Sequence, residues 1–275
     1  MIRRILVPLA GGASFSPTIQ QAVELARLHN AELTAAALFD APRLWSVGPV
    51  PVGASLAAAQ LRDYRLSTAE RSLDEAIAEF ESTTAAANIR HRVVREEGDP
   101  IDRLVALSRY HDLILAGLNG LFEWDVTGEP PDELVQLVGQ GVRPIVAING
   151  KARSIRRVLI AYSGSVESAK TMKQFVQLRL WPDVRIKLLT FNEDIAAGQQ
   201  LLADASAYCR SHGYEPEVEV LPFAPKSHVL EHADAWNADL LVLGNSARNM
   251  LVRRLFGETA LYVIRHADLP LFLSQ

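Results

Sequence analysis

The sequence predicts an α/β protein made of two tandem, doubly wound, open parallel sheets of five strands each, with helices on both faces. Short runs rich in Val, Ile and Leu alternate with longer segments of helical period, which is typical of parallel strands joined by helices. The same series of apolar runs occurs twice in the same order. A chain of 275 residues is long enough for two such units, each with its own core.

The repeat is clearest in three pairs of strand-like segments. They are residues 5–8 and 158–161, residues 112–117 and 239–244, and residues 143–148 and 269–274. The copies lie about 153 residues apart in the first pair and about 127 in the second, so the first copy carries about 26 extra residues. The Pro- and Gly-rich stretch 42–53 places this insert within residues 41–66, as an irregular excursion before a long helix. One interpretation of the insert is a lid over the cleft of the first copy.

Ten strands follow from the pattern. They are predicted near residues 3–8, 31–38, 90–95, 112–116 and 143–148 in the first copy, and near residues 156–162, 184–190, 215–221, 239–243 and 269–274 in the second. Helices lie between them, such as residues 18–28, where Ile19, Ala22 and Ala26 share an apolar stripe that faces the sheet. The polar linker 149–154 predicts a boundary between a domain of residues 1–150 and a domain of residues 155–275.

Composition excludes several classes of partner. With 28 basic and 32 acidic residues the net charge is −4, which gives no positive field for nucleic acid or an anionic membrane. No segment has the roughly 20 apolar residues that span a bilayer, and the N-terminus lacks the apolar stretch of a signal peptide. The single cysteine, Cys209, permits no internal disulfide and is expected to be a packed helix residue. We therefore expect a soluble cytoplasmic protein.

The candidate site follows from the strand pattern. Ligands of open parallel sheets bind beyond the carboxyl ends of the strands, where free amide groups at helix starts attract anions. In the second copy the two loops at that edge are residues 162–168 and 244–260. The later loop begins at Gly244, and its three arginines, Arg248, Arg253 and Arg254, favour an anionic ligand. Gly257 then opens the last helix.

This loop resembles the nucleotide loop of universal stress proteins, and the resemblance, to bacterial tandem members, covers nearly the whole chain. The family carries G-x2-G-x9-G-[S/T] after its fourth strand, where glycine amides and the hydroxyl hold the phosphates of ATP. The second copy reads Gly244-x2-Ala247-x9-Gly257-Glu258, so the spacing is kept and two positions differ. Ala247 adds a methyl group, Glu258 places a carboxylate where a hydroxyl would meet phosphate, and Thr259 follows one position later.

The resemblance implies a site for ATP, ADP or AMP, accompanied by Mg²⁺, in the second copy. The base and ribose would lie against Tyr162, Ser163, Gly164 and the backbone near Thr190 and Phe191, and the phosphates against Gly244, Ala247, Arg248, Gly257, Glu258 and Thr259. The aspartate that usually ends the family's first strand is absent from both copies, which have Ser163 and Ala10 in its place.

The first copy departs further from the family pattern. Gly117 and Gly120 match the first two glycines of the family pattern, but Pro130 occupies the position of the third glycine. Five acidic residues crowd the same segment, at positions 123, 125, 129, 132 and 133. Like charges facing a phosphate chain weaken binding unless a metal intervenes. We therefore expect the first copy to have a degenerate nucleotide loop.

The resemblance also implies how the copies are arranged. In the family the last strand mediates dimer contacts, and here a proline, Pro144 or Pro270, precedes each last strand. The two copies are therefore expected to pair within the chain about a pseudo-twofold axis. A homodimer of the whole chain and unidentified protein partners stay open.

Three catalytic or signalling interpretations are weaker. His228-x-x-Glu231-His232 matches the H-x-x-E-H zinc motif, but no third ligand is evident, so no metal site is expected. Ser163 and Ser165 lie outside a G-x-S-x-G elbow and have no evident activating base, so acyl transfer is not favoured. A receiver domain needs paired carboxylates after the first strand, and both copies lack them. We expect no catalytic residue and no enzyme activity beyond weak ATP hydrolysis.

Two interpretations of function remain. In the first, the chain is a non-catalytic, nucleotide-responsive binding or regulatory module of the stress response. In the second, both clefts have lost their nucleotide and the chain works through protein contacts alone. The missing aspartates, Ala247 and Glu258 favour the second interpretation, whereas the intact spacing and the arginines favour the first.

Overall fold

A computed structural model of the chain describes residues 2–9, 15–45, 51, 53–118, 130–140, 144–226, 228–244 and 257–274. Its strands are β1 (Arg4–Pro8), β2 (Glu32–Phe39), β3 (His91–Glu97), β4 (Leu113–Gly117), β5 (Ile145–Ile148), β6 (Arg157–Ala161), β7 (Arg185–Phe191), β8 (Glu217–Leu221), β9 (Leu240–Gly244) and β10 (Leu271–Ser274). Its helices are α1 (Phe15–His29), α2 (Ala41–Trp45), α3 (Ser55–Ala86), α4 (Pro100–Ser108), α5 (Pro130–Gly139), α6 (Val166–Leu178), α7 (Ile195–Ser211), α8 (His228–Ala235) and α9 (Glu258–His266). All ten predicted strands are present, with bounds shifted by about two residues at most.

The strands form one continuous sheet in the order β3-β2-β1-β4-β5-β10-β9-β6-β7-β8. Each half has the same internal order, so the two predicted five-stranded sheets are joined edge to edge. The junction is the antiparallel pair β5 and β10, with Phe272 opposite Val146, whereas the other pairs in the described residues are parallel. Because the halves run in opposite directions, the carboxyl ends of their strands lie at opposite edges of the sheet.

Helices cover both faces of the sheet, as predicted. One core cluster runs across both halves beneath α1, α3, α6 and α7, and a second lies beneath α4, α5, α8 and α9. At the junction of the halves, Val146 of β5 and Phe272 of β10 lie opposite each other and belong to the same core cluster. On the second side of the junction, the Phe272 ring meets the Phe175 ring edge to face with the centres 5.4 Å apart. The core therefore crosses the junction and does not stop at it.

Polar contacts also join the halves. The Asn149 side-chain amide donates to the Ala267 carbonyl at 2.6 Å, and Arg153 donates to the Asp268 carbonyl at 2.9 Å. The predicted linker 149–154 is therefore tied to the second copy by hydrogen bonds. The division into residues 1–150 and 155–275 stays a prediction.

The insert of the first copy is more helical than predicted. Residues 41–45 form α2, so the prediction of an irregular stretch from residue 42 is wrong at its start. The long helix is confirmed, because α3 has 32 residues whereas α7 has 17. The buried side chains of α3 begin only at Ala69, so its first part extends beyond the core. None of the described helices is both long enough and apolar enough to cross a membrane.

Candidate functional site

The turn between β6 and α6 is shaped by Gly164 and Ser165. Gly164 has φ +75°, a left-handed conformation that favours glycine, and a Cβ there would lie 2.8 Å from Cδ1 of Leu201. The Ser165 hydroxyl caps α6 by accepting a hydrogen bond from the Ser168 amide at 3.1 Å. The turn therefore has a fixed shape at the carboxyl edge of the second half.

Three serine hydroxyls meet at this turn. The Ser163 hydroxyl lies 3.1 Å from that of Ser165 and 3.2 Å from that of Ser168. Ser163 is exposed, whereas Ser168 is buried. A hydroxyl can donate or accept, so Ser163 is free to turn toward a ligand without leaving a buried group unpaired. Sequence reasoning missed Ser168, although its position three residues after Ser165 is the spacing of a helix cap.

The aromatic residues predicted near the base lie on opposite faces of the sheet. Tyr162 packs against the cluster beneath α7, and Phe191 packs against the cluster beneath α8. Burial raises the pKa of Tyr162, and the nearby Asp204 carboxylate raises it further. The Thr190 side chain is buried in β7. The structure therefore does not bring the Tyr162 and Phe191 rings together.

Gly244, at the end of β9, has a packing role that sequence reasoning did not anticipate. A Cβ at this position would lie 2.5 Å from the Cα of Ser168 and 2.8 Å from its amide nitrogen. Backbone atoms cannot give way as a flexible side chain can, so the first turn of α6 reaches β9 only because residue 244 is glycine. The close approach of backbone that suggested a phosphate site is, in the structure, an approach of helix to strand.

The start of α9 is the second element of the site. Gly257 is its N-terminal capping residue, and no side chain in the described residues caps the first turn. Glu258 is exposed in that turn, and Thr259 is half-buried. Free amides at a helix start favour an anion, and here a carboxylate already lies beside them. The predicted phosphate contacts Ala247 and Arg248, with Arg253 and Arg254, lie outside the described residues.

The corresponding cleft of the first copy is described only in part. Gly117 ends β4 at the opposite edge of the sheet. Residues 10–14 and 119–129, which include Ala10, Gly120 and most of the acidic segment, lie outside the described residues. The expected loss of the nucleotide loop in the first copy stays a prediction.

The histidines of the zinc-like motif lie on the flank of α8. His228 contacts the Phe223 ring at 4.6 Å between centres, and its Nδ1 lies 2.9 Å from the Ala224 carbonyl. His232 Nδ1 lies 3.9 Å from the Glu219 carboxylate. The described part of the chain contains no group of three or more His, Cys, Asp or Glu residues that could hold a metal ion.

Cys209 is fully buried in α7, which confirms the prediction of a packed helix residue. Burial raises the pKa of its thiol to about 11. The reactive thiolate is therefore scarce at neutral pH, and the cysteine contributes packing.

Comparisons with known proteins agree with this architecture. The model of the universal stress protein family matches residues 192–274, which extend from the end of β7 through β10 and include Gly244 and Gly257. A universal stress protein of Synechocystis sp. is 22% identical over 65% of this chain and 63% of its own length. One of Methanocaldococcus jannaschii is 30% identical over 28% of this chain and 46% of its own length. The chain thus spans less than two thirds of either of these relatives.

The fold likeness extends over the whole chain. The crystal structure of a universal stress protein from Archaeoglobus fulgidus is 18% identical, with a TM-score of 0.67, and covers 99% of this chain and 98% of that one. At this level of identity the likeness concerns the fold, whereas the family model concerns the sequence of the second copy. Residues 192–274 of the second copy therefore match the sequence model of the universal stress protein family, and the chain has over its full length the fold of a universal stress protein.

Proposed function

We propose that the chain is a non-catalytic binding module that takes one adenine nucleotide at the carboxyl edge of its second half. The site consists of the turn at Ser163 and Gly164, the end of β9 at Gly244, and the start of α9 at Gly257. The role is regulatory, in the response of the cell to stress. The cytoplasmic location and the division into domains at residues 1–150 and 155–275 are parts of the same proposal.

The observation that carries the proposal is the start of α9. Its capping residue is Gly257, so the amides of the first turn face outward with no side-chain partner in the described residues. Gly257 also stands at the family's spacing from Gly244. A start of a helix that lacks a side-chain cap favours a phosphate group, because partial positive charge collects at its free amides.

The nucleoside would lie toward the first turn of α6. Ser163 offers an exposed hydroxyl at the end of β6, and the Tyr162 ring beside it is half-buried against the cluster beneath α7. A ribose hydroxyl could replace one of the contacts that Ser163 makes with its serine neighbours. In this orientation Ser163 would contact the ribose, and the aspartate that the family usually has at this position is not needed.

Charge decides which form of the nucleotide is favoured. The exposed Glu258 carboxylate lies in the turn that would meet the phosphates, and like charges at close range repel. Mg²⁺ bound to the phosphates would reduce this repulsion, and AMP carries less negative charge than ATP. The proposal therefore favours AMP or Mg²⁺-bound forms over free ATP.

The proposed lack of catalysis rests on the serine cluster. In the described residues the hydroxyls of Ser163, Ser165 and Ser168 bond to one another or to backbone, with no histidine or carboxylate placed to remove a proton. A serine without such a base is a weak nucleophile.

A second function is favoured by a specific observation. Gly244 is explained by the packing of α6 alone, so its presence does not require a ligand. A protein that binds other proteins and has lost both nucleotide clefts would show the same glycine. Calorimetric titration of nucleotide-stripped protein with ATP, ADP and AMP in the presence of magnesium separates the two functions. One equivalent of bound nucleotide supports the proposal, and no binding up to millimolar concentrations supports the second function.

A further inference from the structure

A cavity of about 330 Å³ lies in the first copy, between α3 and the carboxyl ends of β2 and β3. Its walls are Ala37, Phe39, Glu70, Leu73, Asp74, Arg95, Glu96 and Glu97. This volume falls at the lower end of the range for small-molecule sites. The cavity is distinct from the proposed nucleotide site, which lies at the opposite edge of the sheet.

The second copy allows a direct comparison, because α3 and α7 end in the same way. Asn88 follows α3 with φ +54°, and Gly213 follows α7 with φ +87°. The next amide in each copy closes the same hydrogen bond, from Ile89 to the Thr84 carbonyl at 3.0 Å and from Tyr214 to the Cys209 carbonyl at 3.1 Å. Counting back equally from these two ends matches Leu73 of α3 with Gly198 of α7.

The strand register matches the facing residues in the same way. β2 pairs with β3 as β7 pairs with β8, which places Arg95 where the second copy has Val220. Counting along β2 and β7 from their pairing with β1 and β6 places Phe39 where the second copy has Asn192. The cavity of the first copy therefore corresponds to a defined place in the second.

In the second copy this place is closed. A Cβ on Gly198 would lie 2.5 Å from Cγ1 of Val220 and 3.3 Å from Cβ of Asn192, so α7 packs directly on the sheet. Leu73 has a side chain where Gly198 has none, and it is buried. Helix α3 cannot approach β2 and β3 as closely as α7 approaches β7 and β8, and the cavity opens beside the leucine.

The lining of the cavity combines an apolar floor with an acidic rim. Ala37 and Leu73 are buried, and Phe39 is half-buried beside them. On the rim, Arg95 is paired with Asp74 at 2.6 Å. The Glu96 carboxylate pairs with Arg103. Glu70 and Glu97 are exposed and have no ion-pair partner in the described part of the chain.

We propose that this cavity binds an organic cation, with a compact apolar body on the Phe39 and Leu73 floor and an ammonium group between Glu70 and Glu97. The apolar floor favours a ligand with hydrophobic surface, and the two unpaired carboxylates favour positive charge at its polar end. An anionic nucleotide would meet the wrong sign of charge here.

The test is calorimetric titration of the full chain with 2-phenylethylamine as the probe, beside the neutral analogue 2-phenylethanol. The amine is expected to bind more tightly than the alcohol. Raising the salt concentration reduces this difference in affinity, because salt screens the charge of the exposed carboxylates. Glu70→Gln with Glu97→Gln weakens amine binding by about two- to fivefold per carboxylate, the range expected for exposed ion pairs. The alcohol is unaffected by the same pair of substitutions.

The matched control replaces two other glutamates, both on α3, the helix that carries Glu70. Glu75 and Glu81 are exposed on α3 and are not among the residues that line the cavity. Glu75→Gln with Glu81→Gln leaves amine affinity unchanged if the cavity is the site. Equal affinity for amine and alcohol, equal effects of the two pairs, or no binding of the amine overturns the proposal. The titration with the amine is repeated in the presence of saturating AMP. An unchanged affinity for the amine shows that the amine does not bind at the proposed nucleotide site.

Discussion

Asp239 and Arg157 are joined by two hydrogen bonds, one in each direction. The Arg157 amide donates to the Asp239 carboxylate at 2.8 Å, and the Asp239 amide donates to the Arg157 carbonyl at 2.8 Å. The first copy repeats the arrangement, because the Arg4 amide donates to the Asp112 carboxylate at 3.0 Å and the Asp112 amide donates to the Arg4 carbonyl at 2.9 Å. In each copy, an aspartate just before the fourth strand fixes the start of the first strand.

This contact predicts the effect of Asp239→Ala. Its carboxylate also accepts from the Arg156 amide at 2.9 Å, so the substitution leaves two backbone donors without their charged acceptor. Hydrogen bonds to charged groups contribute about 1.5–3 kcal/mol each, and partial solvation reduces this, so we expect a loss of about 2 kcal/mol in the free energy of unfolding. Urea denaturation measures this free energy. The control is Asp234→Ala, because Asp234 is exposed on α8. Equal stability of the two variants would contradict this role.

The contact of Gly244 with Ser168 predicts that Gly244→Ala destabilises the second half. The new methyl group would meet backbone of α6 at 2.5 Å, and overpacking of this kind costs about 1–3 kcal/mol. Gly53→Ala is the control, because Gly53 has φ +87° and open space around it, so only backbone strain of about 1 kcal/mol is expected there. The midpoints of thermal unfolding are compared for the two variants and the wild type. A Gly244→Ala protein as stable as the wild type would show that α6 can move away from β9 at little cost.

The same contact limits what substitution of Gly244 can say about ligands. A valine at this position would disturb α6 whether or not a nucleotide binds, so loss of binding would not identify a phosphate contact. Substitutions at the exposed first turn of α9 are the cleaner probes.

The strands could be predicted from the sequence because they are short buried runs between polar segments, and buried parallel strands have that pattern. The internal repeat showed that the strands of the second copy follow one another in the same order as those of the first. The pairing of β5 with β10 followed from the family resemblance, because nothing in residues 145–148 or 271–274 alone specifies which strand they meet.

Other features depend on distances that the sequence does not contain. A glycine after a strand is compatible with a phosphate or with a helix against it, and only the distance from Gly244 to Ser168 distinguishes them. Pro42 suggested irregular structure, but it is the second residue of α2, where the missing amide is not needed. The match of Leu73 with Gly198 likewise required the strand register.

His111 predicts a pH dependence of stability. The side chain is buried, and its Nε2 has no hydrogen-bond partner in the described residues. Burial lowers the pKa of His111, and the positive charges of Arg4 and Arg92 lower it further, although a hydrogen bond to the Leu107 carbonyl opposes the shift. The unfolded chain therefore binds a proton at a pH where the folded chain does not, so stability is lost as the pH falls through the ordinary histidine pKa of about 6.5.

His111→Leu removes the titrating group. Urea denaturation between pH 8 and pH 5 is expected to give a shallower loss of stability for this variant than for the wild type, whatever its stability at pH 8. His266→Leu, at an exposed position of α9, serves as the control and keeps the wild-type slope. Parallel pH profiles for the wild type and His111→Leu would mean that another group causes the dependence.

Glu258 is the residue whose substitution tests the start of α9 as a phosphate site. Its carboxylate lies in the first helical turn, beside amides that no side chain in the described residues caps. Replacing it with serine removes a negative charge from the place proposed for the phosphates. Glu258→Ser is therefore expected to tighten binding of Mg²⁺-ATP by about 1 kcal/mol, or about fivefold, with a smaller gain for AMP because it has fewer negative charges. Calorimetric titration measures both, and Glu231→Ser, at an exposed site in the first turn of α8, controls for net charge. If Glu258→Ser leaves nucleotide affinity unchanged, the phosphates do not lie at α9, and the spacing between Gly244 and Gly257 reflects packing of the fold alone.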